Sequence, residues 1–132
     1  MRILVGYTPT DEGRTAALAA LHETQLRGGD LLIVGPTADE NTPDTDAEIT
    51  QLLGQSAAAG TSADLRTLSA GEDAADVLID LSYEDDVELV VIGVRRRSRV
   101  GKLFLGSTAQ RVILEAGCPV HSVKPRIRDD KQ

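Results

Sequence analysis

Apolar and polar positions along the chain fall into two alternating patterns. Short apolar runs occur at Ile3–Tyr7, Leu31–Val34, Leu89–Gly93 and, more weakly, Asp64–Leu68 and in "CPVHSV" near the C-terminal end. Runs of this length bounded by Gly, Pro or acidic residues read as strands. Between them lie segments with helical spacing. Thr10, Asp11 and Glu12 give a start signal for a helix that continues to about Arg27. Ile49, Leu52 and Leu53 open a second helix ending near Gly60, after a polar, proline-bearing loop at Pro36–Thr45. Ser69 and Glu72 have the spacing of a capping box, and Ala74, Val77, Leu78 and Leu81 follow on one face of a third helix. Ala109, Val112, Ile113 and Ala116 line a fourth helix, and Gly117 stands where a left-handed C-terminal residue is expected.

The predicted order is β-α-β-α-β-α-β-α-β, without an internal repeat. Such alternation specifies an α/β fold: a single-domain five-stranded parallel sheet with helices on both faces. The run Leu89–Gly93 is apolar throughout, as a strand covered on both sides must be. In open sheets of this kind ligands sit beyond the C-terminal strand ends, where the strand order reverses. The segments that follow strands one and four, Thr8–Thr10 and Gly93–Ile113, are therefore the candidates for a site. Gly93 is placed where a side chain would block the crevice.

Composition narrows the function. The chain has 132 residues, one domain's worth, with 41% hydrophobic and only 2% aromatic residues and a formal net charge of −7. Negative charge and few aromatics argue against a nucleic-acid binder. No apolar stretch suits a signal peptide or a membrane span, so the sequence is read as cytoplasmic. The lone Cys118 is read as a buried small hydrophobe. His22 and His121 have no partner at metal-ligand spacing, and Asp85, Asp86 and Glu88 precede strand four as a solvated turn. Phe104 is assigned to plug its loop into the core. No nucleophile–base pair is evident, so fast hydrolysis or phosphoryl transfer is not expected, and at most ATP is hydrolysed slowly.

The segment "GVRRRSRVGKLFLGSTAQRVI" holds the candidate chemistry. Arg95, Arg96, Arg97, Arg99 and Lys102 concentrate positive charge in an acidic protein, and guanidinium groups suit phosphate oxygens. Gly106, Ser107 and Thr108 open the fourth helix, whose first-turn amides favour an anion, while Ser107 and Gln110 also fit a capping box. A Walker A loop is excluded: Gly101 and Lys102 fit, but Arg96 takes the first glycine position and Leu103 the hydroxyl position.

Gly93-x-x-Arg96, nine residues, then Gly106-Ser107 resembles the universal stress protein family, whose nucleotide-binding members carry G-x-x-G, nine residues, then G-[ST]. "ILVGYTPTDEGRTAALAAL", "DVELVVIGVRRRS" and "GSTAQRVILEAGCPVHSVK" extend the resemblance over nearly the whole chain. It implies the adenine nucleotide alpha hydrolase-like fold over residues 1–125, with 126–132 as a charged tail. It also implies binding of ATP or another adenine nucleotide in some members, with or without a divalent cation, and a homodimer through the C-terminal edge strand. Carried over, Gly93, Gly106 and Ser107 would contact phosphate and ribose and Val34 would lie near the adenine; Arg95, Arg96 and Thr108 are expected from their own chemistry to help hold phosphate. Thr8 stands where the family usually has an acidic residue, and Arg96 where it has its second glycine. The Arg96 side chain either fills the phosphate space or holds the phosphates itself. If it fills that space, the chain is a dimeric interaction module that binds no nucleotide.

Overall fold

The middle strand of the sheet is the first one. In the computed structural model, which describes residues 1–96 and 103–126, β1 (Arg2–Gly6) is flanked by β2 (Asp30–Thr37) and β4 (Val87–Gly93). Both pair with it in parallel, Gly6 opposite Val34 and Val5 opposite Val91. β3 (Ser62–Leu68) lies outside β2, and the last strand, β7 (Val120–Val123), lies outside β4, giving the order β3-β2-β1-β4-β7. A two-residue hairpin, β5 (Arg95–Arg96) with β6 (Leu103–Phe104), follows β4. The expected five-stranded parallel sheet is therefore present. Leu89–Gly93 belongs to an inner strand, with β1 rather than β4 at the centre.

Alternation along the strands divides the core in two. Ile3, Val5 and Tyr7 point to one face, under helices α1 (Asp11–Arg27) and α2 (Pro43–Ala58). Leu4, Val90 and Ile92 point to the other, under α3 (Ala74–Ser82) and α4 (Ser107–Glu115). α1 meets the sheet through Ala16, Ala17 and Ala20, all buried, and these small side chains let the helix sit close. Cys118 is only half-buried, packed at the edge of the second cluster.

Three local expectations are corrected. α2 starts at Pro43, inside the segment read as loop, after a short 3₁₀ turn at Ala38–Glu40. Thr42 caps the Thr45 amide, Pro43 fills a position that needs no donor, and Asp44 and Asp46 complement the helix dipole. Ser69 and Glu72 do bond to each other, but ahead of the helix. Asp73 is the cap of α3, accepting from the Ala75 amide, while Glu72 turns back to Arg66. Gly117 is not left-handed; the residue ending α4 is Ala116, in extended conformation. Glycine is needed at 117 because a Cβ there would lie 2.5 Å from the Tyr83 ring.

Candidate functional site

Strand order reverses between β1 and β4, and a cleft of about 300 Å³ opens there, above their C-terminal ends. Thr8, Val34, Gly93, Arg95, Gly106, Ser107 and Thr108 all line it. The Arg96 backbone belongs to β5, but its side chain lies outside the described residues, as do those of Phe104 and of Arg97, Arg99 and Lys102 in the basic run. Val34, Leu78 and Ile92, all buried, give the cleft an apolar side.

The N-terminus of α4 forms the polar side. α1, α2 and α3 are each capped by a side chain, from Thr10, Thr42 and Asp73. The cap residue of α4 is Gly106, which has no side chain to offer. The capping box expected from Ser107 and Gln110 is thus not formed. Ser107 is already helical, and the Gln110 amide bonds to the Gly106 carbonyl instead. Among the described residues no acceptor meets the amides of Ser107, Thr108 or Ala109. Gly106 has φ −64° and ψ 163°, which any residue adopts, and a Cβ there would meet nothing within 4 Å among the described residues. Among the described residues neither packing nor backbone conformation accounts for glycine here. Its effect is to leave the turn open.

The opposite wall is the β1–α1 turn. Thr10 caps α1 by accepting from the Gly13 amide at 3.1 Å, and the Thr8 and Thr10 hydroxyls lie 2.8 Å apart. A Cβ on Gly13 would lie 2.0 Å from the Thr8 carbonyl oxygen. Gly93 is glycine for a related reason, which corrects the sequence-based account. Its missing side chain makes room for the α1 backbone, since a Cβ would lie 2.3 Å from the Glu12 carbonyl oxygen, rather than keeping the crevice clear. Glu12 itself lines the cleft and pairs with Arg95 at 3.4 Å.

Tyr7 connects this cleft to a second of about 320 Å³ between α1 and α2. Its amide donates to the Val34 carbonyl at 2.8 Å, and its hydroxyl donates to Glu48 at 2.5 Å. Arg14 holds the other Glu48 oxygen at 2.9 Å. Burial first, and the Glu48 carboxylate second, push the Tyr7 phenol well above its ordinary pKa. The Tyr7 hydrogen bond, with Arg14, holds Glu48 below the ordinary carboxylate range. His22 and His121 are both exposed, and among the described residues no group of three His, Cys, Asp or Glu could hold a metal ion. No helix among them is long and apolar enough to cross a membrane.

The universal stress protein family model matches residues 1–124. The chain belongs to the universal stress protein family. A universal stress protein of Mycolicibacterium smegmatis is 36% identical over 127 residues, covering 93% of this chain and 97% of the relative. The universal stress protein structure from Archaeoglobus fulgidus is 30% identical with a TM-score of 0.67, covering 94% of this chain and 98% of that one. A structure of the universal stress protein from the same organism in complex with dAMP is 25% identical with a TM-score of 0.62, again covering 94% and 98%.

In this universal stress protein the resemblance drawn from glycine spacing is thus matched in both sequence and fold. Sequence reasoning missed Tyr7, Glu12, Gly13, Ala74 and Leu78, which also line the cleft. Gly13 was legible as a glycine in the first turn of a helix, where nothing in the helix itself asks for one. Glu12 was read only as a helix-start signal. Leu78 was assigned to a core-facing stripe, which it also occupies.

Proposed function

We propose that this protein is a cytoplasmic stress-response regulator that binds an adenine nucleotide in the β1–β4 cleft, as a signal rather than as a rapidly consumed substrate. The observation that carries this reading is the glycine-capped start of α4, with its first-turn amides unpaired among the described residues and facing the cleft. A helix N-terminus of this kind suits phosphate. Ser107 and Thr108 add hydroxyl donors, Arg95 adds positive charge, and Val34 offers an apolar contact for adenine, with Thr8 and Gly93 beside the ribose. The dAMP complex of the relative from A. fulgidus supports a nucleotide of this class. ATP, with or without a divalent cation, is included in the reading. Calorimetric titration with AMP, dAMP, ADP and ATP tests it. Micromolar to millimolar binding is expected, and no heat with any of the four refutes it.

The same reading includes a homodimer through β7. This strand is the last in the sheet, and the carbonyls of Pro119 and Val123 point to β4, so alternation turns Ser122 outward. Exposed edges are ordinarily paired or covered, and Ile113 and Leu114 stand exposed on the adjoining helix. Ser122→Pro removes an outward donor, and light scattering after size exclusion should then report a monomer. A dimer that survives this change uses another face.

A further inference from the structure

Within the nucleotide reading, on which this inference rests, the cleft's charges bear on which nucleotide it takes. Among the described lining residues Glu12 is the one acidic side chain and Arg95 the one basic side chain. They face each other at 3.4 Å, with the Glu12 side chain 19% exposed. The remaining lining is Gly, Ala, Thr, Ser, Val, Leu, Ile and a tyrosine kept neutral by burial and by its bond to Glu48. The described cleft therefore offers a phosphate no net side-chain charge. Its donors are the first-turn amides of α4, worth about half a positive charge, and two hydroxyls. Among the described residues that set matches one phosphate group. Each further phosphate adds negative charge near the Glu12 carboxylate, which starts from the first turn of α1, where its backbone lies against Gly93, and reaches Arg95.

We propose that Glu12 is a specificity-determining residue that makes the cleft discriminate ligands by charge. A nucleoside monophosphate binds unaided, and a polyphosphate binds comparably only when a divalent cation covers part of its charge. A hard cation such as Mg²⁺ is held by phosphate oxygens with one or two carboxylates, so in its presence the same Glu12 charge becomes favourable. Without the cation it repels the chain and competes with it for Arg95.

Titration calorimetry with AMP and with ATP, each in Mg²⁺ and in EDTA, tests this on the wild type, Glu12→Gln and Asp11→Asn. Asp11 shares the first turn of α1 but does not line the cleft, so its variant loses the same helix-end charge without altering the site. In the wild type, EDTA should weaken ATP binding about tenfold, the scale of one unit charge in a partly solvated cleft, and leave AMP unchanged. In Glu12→Gln that penalty should disappear through a gain in metal-free ATP affinity larger than the gain for AMP. Asp11→Asn should behave as the wild type. A Glu12→Gln protein that keeps the wild-type Mg²⁺ dependence overturns the proposal, as does an Asp11→Asn protein that loses it. Absence of binding by AMP and ATP in all three proteins overturns the nucleotide reading itself, and this proposal with it.

Discussion

Replacing Gly106 by serine sets stability against binding. A Cβ at this position meets nothing within 4 Å among the described residues, and the backbone angles are those an N-cap serine adopts, so the new side chain fits the turn as described. Its hydroxyl oxygen can accept from the amide of Thr108 or Ala109, as Thr10, Thr42 and Asp73 do at the other helices. A serine cap exceeds a glycine cap by a few tenths of a kcal/mol. Removing glycine's freedom from the unfolded chain adds about 0.4–1 kcal/mol. The sum is about 1 kcal/mol of added stability, or roughly 3–6 °C in Tm for a chain of this size. The same hydroxyl occupies an amide meant for phosphate and fills the open turn. Losing one charge-assisted hydrogen bond, worth about 1.5–3 kcal/mol, should weaken nucleotide binding by at least about tenfold. Scanning calorimetry and nucleotide titration on the same protein sample read both effects. A variant that melts higher yet binds as well as wild type would show that these amides do not hold the ligand. A variant that melts lower would show that the turn is not open.

Gly93→Ala should do the reverse, because its Cβ would lie 2.3 Å from a backbone oxygen that cannot swing away. Destabilisation of about 2–3 kcal/mol is expected in urea unfolding. Tyr7→Phe removes the hydroxyl that donates to Glu48 and should cost about 1 kcal/mol at neutral pH. Since Glu48 is held below the ordinary carboxylate range, its contribution is full above that range and is lost as pH falls through its depressed pKa. The variant's stability should therefore vary less with pH on the acid side, which unfolding curves across that range check. Glu72 is held at about 2, first by Arg66 and then by the Ser69 amide and hydroxyl. Arg66→Ala should move it back toward the ordinary range, and a carbon-detected NMR titration would follow the shift.

The sheet was legible because its strands are short apolar runs bounded by turn residues, and the capping threonine of α1 stands directly before that helix. The start of α2 was misplaced for a physical reason. Its first turn, from Pro43, is mostly solvent-facing, so it carries no apolar period, and only the Thr42-Pro43 pair marks it. Ser69–Glu72 and Ser107–Gln110 both have capping-box spacing, yet neither caps a helix, because spacing does not fix where the first helical residue falls. At the site, Gly106 and Ser107 were found through local chemistry. Glu12 was not, because its role comes from contacts with Gly93 and Arg95 that form only when α1 meets the end of β4, whereas the cue at Gly13 was local and was passed over.

That convergence bears on how the site can change. Gly13 against the Thr8 carbonyl and Gly93 against the Glu12 carbonyl bring main chain close to main chain, so the wall they share has no room for a side chain at either glycine. Substitution can retune such a pocket from its rim, at Thr8, Glu12, Arg95, Gly106, Ser107 and Thr108. New ligand preferences can then be selected there without putting the architecture beneath them at risk.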